Sequence, residues 1–580
     1  MEISTLESSL PNELFDFIFL YLKSIDIIYS FFNLNHRFNN LIYPFLCAID
    51  LSNVDECTLK KYCRTILPKI HHYIKAIRVD DKNINAVFPL FLYSKIYPNL
   101  ESVFITEAKT DGKHLLYLKL FKQLLNLKIY FDTEQHNETV LIESCSNLFQ
   151  SGCRLQTLVF DNVYVPINTH IIERCFSIRK LTIKVHCCDN VYVLLNNLPS
   201  IEYVTIDIPY IRQQEQQPEQ EQNGVQFNNN NKSVPSTLSK LRYFVFSSMS
   251  VVNYDYLELL LSHCCFNLEH LSLDLCIDQF IDGERFEKKL LSKLTKLEVF
   301  HFCFLIPAVD NKLNIDDYIQ TFKSTYWINN NHSILCFNQS LLNQYYCVFS
   351  LPYVFHTFPC FSNDLINYRT NVNDDSLLYS KQNKAIEISL YDTVPYTLEL
   401  FQIIQKSFLR ASELIFVDAP VRCLSDNLLN NELMMENIVS VTFLFDQLEF
   451  EHFRRLLLMT PNILRLRIPQ RLLLDVLRNS KDSSFQQLRS ICNRIRYVGI
   501  GSRSLEFDVL ISFQSQERWS QVRDRSNTYI GFHSTSPEAC VNIAHSDMRI
   551  SRTPPQMLGY GIYFARSIEN TGAKHVLVAL

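Results

Sequence analysis

From residue 99 to about 300, polar and apolar positions alternate in a unit that returns at intervals of a few tens of residues. A polar residue comes first, then Leu or Ile, then a charged or polar residue, then an apolar run of strand type. The unit reads Asn99-Leu100-Glu101-Ser102-Val103 at its first occurrence and Asn126-Leu127-Lys128-Ile129 at its second. The lead apolar residue is then Leu155, Ile178, Ile201, Leu241, Leu268 and Leu297, so its steps are 27, 28, 23, 23, 40, 27 and 29 residues. The long step contains the Gln/Asn tract Gln213–Asn231, which cannot build a core and is expected to loop out disordered. Helical text such as "NVYVLLNNL" precedes strand text such as "PSIEYVTIDI", an order that predicts a parallel sheet on one face and helices on the other. The period is lost from 305 to 385, where an irregular insertion is expected. Weaker units return at "ELIFVDA", "NIVSVTFLFD" and "NILRLRI" (Asn462–Ile468).

The first fifty residues keep a different rhythm. Pro11 suits a first helical turn. Leu14, Ile18 and Leu22 come next at helical spacing and predict one apolar stripe. Ser24 is the expected N-cap of a second helix carrying Ile25, Ile28, Phe31 and Phe32, and a third pattern, "NHRFNNLIYPF", is expected to stop at Pro44. That assignment leaves Phe15, Phe17, Phe19 and Ile27 facing outward. So short a segment cannot bury enough surface to stand alone, and it serves either as a cap packed on the next domain or as a docking module for another protein.

Composition narrows the classes. The net charge of −5 and the absence of a long Lys/Arg run argue against a nucleic-acid or anionic-membrane surface. The beginning of the chain reads as no signal peptide, and no stretch approaches the ~20 apolar residues of a membrane span. The 18 Cys include no C-x-x-C pair and are expected to be reduced, in cytoplasm or nucleus. The triplets His186-Cys187-Cys188 and His263-Cys264-Cys265 lack a second ligand pair, so packing rather than metal binding is expected for both.

Leu10, Pro11, Glu13, Leu14, Ile18, Leu22, Asp26, Arg37 and Phe38 fall in register with the pattern of the F-box family, which this segment resembles. Leu34-Asn35-His36 departs mildly from the residues that usually precede its Arg-Phe pair. The resemblance implies a Skp-type adaptor of an SCF ubiquitin ligase as partner, held by Leu10, Pro11, Leu14, Phe15, Ile18, Leu22 and Ile27. The repeating middle is similar to leucine-rich repeats, whose period is about 20–29 residues, although the asparagine they place after the strand is missing. Beside an F-box, such an array resembles the receptor that recognises a protein substrate. The expected fold is therefore a multidomain α/β protein. It comprises an F-box at 8–47, a leucine-rich-repeat-like solenoid at 48–490 and a partial α+β domain at 500–580.

Six of the ten glycines fall between Gly499 and Leu580. Polar text from about Arg503 to Arg525 reads as linker, followed by a strand ending at His533-Ser534-Thr535. A helix from Pro537 capped by Ser536 comes next, then Gly559-Tyr560-Gly561-Ile562-Tyr563-Phe564-Ala565 and a last strand "HVLVAL". His-x-Thr followed by Gly-x-Gly-Ile-Tyr-Phe-Ala resembles the PARP-type ADP-ribosyltransferase domain. The resemblance implies NAD as cofactor, with no metal. His533 would contact the adenosine ribose, Tyr563 would stack on nicotinamide and Thr571 would bond the carboxamide, with Ser534, Thr535 and Gly561 around the pocket. Ser534 replaces a family glycine and Lys574 a second stacking aromatic. The family's catalytic Glu lies on a strand that would come after Leu580. The chain is thus expected to be an SCF receptor with a NAD-pocket-like tail, the alternative being an ADP-ribosyltransferase delivered by the F-box and repeats. Loss of a group acting on the transition state costs about 10²–10³ in rate. NAD should therefore bind the full chain weakly by calorimetry, more weakly still after Tyr563→Ala, with little transfer of ADP-ribose. Robust automodification abolished by His533→Ala would overturn that expectation.

Overall fold

The computed structural model describes residues 10–469 apart from 89–96, 109–122, 132–140, 166–172, 209–237, 308–313, 340–344, 373–377 and a few shorter gaps. Beyond these it describes parts of 491–509 and the strands 531–534 and 576–579. The architecture is mixed α/β and mostly parallel, and the chain divides into two compact units, Met1–Phe304 and Leu305–Leu580.

In the first unit three short helices, α1 (Asn12–Phe19), α2 (Ser24–Phe31) and α3 (His36–Cys47), lead without a break into a sheet whose strands stand in chain order. These are β1 (Ala48–Asp50), β2 (Ala76–Asp80), β3 (Ser102–Ala108), β4 (Asn126–Phe131), β5 (Thr157–Val165), β6 (Lys180–Val185), β7 (Tyr203–Ile208), β8 (Tyr243–Val252), β9 (His270–Ile277) and β10 (Val299–Pro307). Every pairing from β1 to β9 is parallel. The lead residues of the sequence unit stand just ahead of or at the start of strands β3 to β10. Within each strand the residues alternate, as in β7, where Val204, Ile206 and Ile208 are buried and Thr205 and Asp207 half-buried. Period-two alternation puts the apolar set under the helical layer, which here includes Cys188–Asn197 and Tyr254–Cys264. The Gln/Asn tract lies outside the described residues. Across the gap β7 and β8 pair without a slip, from Tyr203↔Tyr243 to Ile208↔Ser248.

One hydrogen-bond device recurs at the start of nearly every strand. A single carbonyl accepts from two successive amides of the next repeat. Lys75 O accepts from Glu101 N and Ser102 N, Glu101 O from Leu125 N and Asn126 N, and Arg179 O from Glu202 N and Tyr203 N. Glu202 O accepts from Arg242 N and Tyr243 N, and Glu269 O from Glu298 N and Val299 N. The leading asparagine of the sequence unit adds a side-chain rung: Asn99 Nδ2 donates to His72 O at 2.7 Å and Asn267 Nδ2 to Ser239 O at 2.5 Å, each to the turn one repeat earlier. The missing post-strand asparagine is thus matched by a pre-strand one.

The second unit reuses the device. β13 (Thr357–Phe361), β15 (Glu387–Tyr391), β16 (Glu413–Asp418), β17 (Ser440–Phe443), β18 (Arg465–Ile468) and β19 (Tyr497–Ser502) are parallel neighbours in that order, and β20 (Leu505–Val509) adds antiparallel to β19. Ile386 O accepts from Ser412 N and Glu413 N, and Val439 O from Leu464 N and Arg465 N. Asn437 and Asn462 donate to Leu409 O and Glu436 O. The stretch expected to be irregular holds an antiparallel pair, β11 (Ser333–Gln339) with β12 (Tyr345–Leu351), and β14 (Arg369–Thr370) on the far side of β11. It also holds β13, so the parallel sheet resumes earlier than the sequence indicates. β13 hid because Pro359 breaks its pattern. An edge strand tolerates that residue, and the β13–β15 register slips between Phe358 and Phe361 around it. β20 likewise corrects the linker expected from Arg503, since its period-two pattern is short and half polar. β21 (Gly531–Ser534) pairs antiparallel with β22 (Val576–Ala579), where strands were expected.

Two buried amides fix the second unit. Asn383 accepts from Tyr353 N through Oδ1 and donates through Nδ2 to Leu378 O and Ser407 O. Asn371 accepts from Ile334 N and donates to Phe322 O and His332 O. Removing a fully bonded buried amide strands its partners, at a cost of about 2–3 kcal/mol, whereas an exposed rung returns its carbonyl to water. Asn383→Ala should therefore lower the urea midpoint far more than Asn99→Ala, and equal effects would contradict this assignment.

Candidate functional site

The three N-terminal helices owe their arrangement to phenylalanine. Phe15 and Phe19, one turn apart on α1, are buried and meet Phe31 of α2 and Phe38 and Phe45 of α3 at ring separations of 4.9–6.4 Å, mostly edge to face. Such pairs add to the large apolar area each ring buries. Arg37 closes one end: Nε donates to Asn12 Oδ1 at 2.7 Å, Nη2 donates to Leu10 O, and the guanidinium lies 5.5 Å from the centre of the Phe15 ring. Ile25, Ile27 and Ile28 of α2 are buried, and Ser24 Oγ accepts from Asp50 N, tying the helices to β1.

α1 therefore carries two apolar stripes, and the inner one is the reverse of the expectation. Phe15, Phe19 and Ile27, expected outward, are core: the two rings bury large apolar areas, and Ile27 lies buried on α2 with Ile25 and Ile28. Leu14, Ile18 and Leu22 are exposed at 46%, 43% and 41%, joined by Phe17 and Tyr21, whose rings are 5.7 Å apart. Of the expected partner-binding residues, Pro11, Leu14, Ile18 and Leu22 are exposed and Leu10 half-buried, while Phe15 and Ile27 are not available to a partner. Phe17 and Tyr21 are additions whose i, i+4 spacing the sequence already carried. Three local details also differ. Pro11 is the cap rather than the first helical residue, Lys23 rather than Ser24 caps α2, and α3 runs through Pro44 to Cys47, anchored on both sides by buried Ile42 and Leu46.

A second feature lies on the open side of the first sheet. In register across β7, β8 and β9 stand Tyr203, Tyr243 and His270. Tyr243 and His270 stack at 4.1 Å with planes 15° apart. Four residues along the same strands stand Asp207, Ser247 and Asp274. Lys184 lies 3.7 Å from Asp207. Asp274 makes no ion pair among the described residues. Burial, opposed by a hydrogen bond from Cys303 and reinforced by the charge of Asp207, pushes its carboxyl up to about 7. The signal for the aromatic row was in the sequence, two residues after Ile201, Leu241 and Leu268.

His533 and Ser534 lie on β21, and Thr535, Gly561, Tyr563 and Thr571 fall outside the described residues. Cys265 is buried as expected, but Cys187 is exposed, because it precedes the helix Cys188–Asn197 as its cap. Among the described residues no group of three His, Cys, Asp or Glu is placed to hold a metal ion, and no helix is long and apolar enough to cross a membrane. The chain matches no protein-family model and no curated protein.

The Asp274 carboxyl sets a pH dependence. The folded chain holds its proton up to about 7, while an unfolded chain releases it near ~4. Between those values the folded state binds more protons, so stability falls as pH rises. Asp274→Asn should raise the thermal midpoint by a few degrees at pH 8 and leave it nearly unchanged at pH 4. A midpoint that drops at pH 8 would overturn this.

Proposed function

We propose that the chain is a substrate-receptor subunit of an SCF-type ubiquitin ligase. The F-box-like helices α1–α3 dock on the Skp-type adaptor, and the leucine-rich-repeat-like sheet units present a surface to a protein target. One observation carries the reading: the motif residues Leu14 and Ile18 stand outward on α1, and Leu22 on the turn after it, beside a helical core already filled by phenylalanines. Outward aliphatics at helical spacing gain roughly 25 cal/mol per Å² when a partner covers them. Their neighbours Phe17 and Tyr21 supply the aromatic anchors in which interface energy concentrates. The direct chain connection from α3 into β1, with Lys75 N donating to Cys47 O, fixes the helices to the first repeat, so a docked adaptor holds the array at a set distance. The alternative, transfer of ADP-ribose from NAD, draws on residues mostly outside those described, and no geometry favours it.

Co-purification with a Skp-type adaptor tests the proposal. Leu14→Ala with Ile18→Ala should weaken capture at least about tenfold, the effect of ~1.4 kcal/mol, and leave the thermal midpoint within a few degrees because both side chains are exposed. Phe15→Ala should instead melt the helices. Undiminished capture by the Leu14/Ile18 double variant would sink the assignment.

A further inference from the structure

His452, on the helix Phe450–Met459, is 4% exposed, and its neighbour dictates the protonation state of its ring. The amide of Leu424 donates to Nδ1 at 3.1 Å. A backbone N–H only donates, so Nδ1 carries a lone pair and the ring is neutral, with its proton on Nε2. Nε2 lies 3.7 Å from Glu449 Oε2. Two further bonds tie the segment Val421–Leu424 to the same end of the helix. Glu449 N donates to Val421 O at 3.0 Å, and Arg422 Nε donates to Glu449 Oε1 at 2.9 Å. Leu424 also bridges Tyr396, whose amide donates to Cys423 O. We propose that His452 pins an acid-opened latch: protonation of its ring releases Val421–Leu424 from the helix and bares the buried Cys423 and Leu424. The added proton can only go to Nδ1, where it would face the Leu424 N–H, so a bond is replaced by two opposed donors in a buried site. The charged groups around the ring are Glu449 and Glu451 beside it in sequence, Asp426 on the short helix after the segment, and Arg422 within the segment. The carboxylates favour the imidazolium and Arg422 opposes it, but burial dominates and holds the ring below the ordinary histidine range. With the closed-state value depressed, the open state binds more protons once the pH falls below ~6.5, so opening grows as the pH drops. The latch does not draw on the ligase reading.

Hydrogen–deuterium exchange of the full chain at pH 8 and pH 5, each corrected for the intrinsic rate at that pH, tests the latch. Protection of the peptide covering Val421–Leu424 should fall by about tenfold at pH 5, while β15 and β16 keep theirs. His452→Asn, whose amide oxygen can accept from Leu424 N without titrating, should abolish that fall. Glu449→Gln removes a carboxylate that favours the imidazolium in the closed state, so it should enlarge the ratio between the two pH values. A merely structural role for Glu449 would lower protection equally at both. Protection that is unchanged at pH 5, that falls throughout the second unit, or that still falls in His452→Asn overturns the proposal. Should the Asn variant lack protection already at pH 8, the Glu449→Gln ratio decides: a larger ratio supports the latch and an unchanged one removes it.

Discussion

The described fold depends on a shared carbonyl. At the start of strand after strand, one backbone oxygen takes two successive N–H groups from the following repeat, and the same pattern holds in both units. A carbonyl has two lone pairs and an amide one donor. Using both lone pairs at this point satisfies the amides of the turn and of the first strand residue together, in a place where buried backbone groups would otherwise lack partners. It also fixes register, because a slip of one residue would break two bonds and reverse the buried and open faces. Connections of very different length are tolerated as long as the turn returns to that oxygen. The long insertion between β7 and β8 shows this, since Arg242 N and Tyr243 N still find Glu202 O. Loop length costs little entropy compared with the bonds regained.

Fixed register converts sequence position into surface position. In β7–β9, residues two beyond each lead Leu or Ile fall in one row of the open face, and residues six beyond fall in another. The aromatic and carboxylate rows arise from that spacing, with no dedicated loop to build them. At the edge the same geometry alternates charge: Arg179 faces Glu202 at 3.6 Å and Arg242 holds Glu269 through two bonds of 2.7–2.8 Å. These pairs are exposed and contribute modestly to stability. Their alternation nonetheless disfavours a wrong neighbour more than it strengthens the right one.

Most of the parallel sheet was legible because its signal is repeated. A Leu or Ile that recurs behind a polar residue marks the turn even when each strand alone is ambiguous. β13 escaped because Pro359 and an irregular register left it without the pattern, and β20 because five half-polar residues have too little periodicity to register. The helical trio was legible in position but inverted in facing. Leu14, Ile18 and Leu22 form as good a helical stripe as Phe15 and Phe19, and spacing cannot rank two stripes. Ring area does, together with the aromatic partners contributed by α2 and α3. The motif names the residues of the proposed docking face, while only the packing separates outward Leu14 and Ile18 from inward Phe15 and Ile27. The Asp274 environment was not legible, since its burial and its Cys303 partner arise from strands brought together across the sheet.

The central claim is that α1 and the turn after it form a docking face that leaves the sheet free for a target. Hydrogen–deuterium exchange of the full chain with and without a purified Skp-type adaptor tests it most directly. The account predicts slowed exchange confined to the helical trio, strongest from Leu14 to Leu22, with β5–β9 unchanged. Protection that spares α1, or that falls on the open face of the sheet, would contradict it.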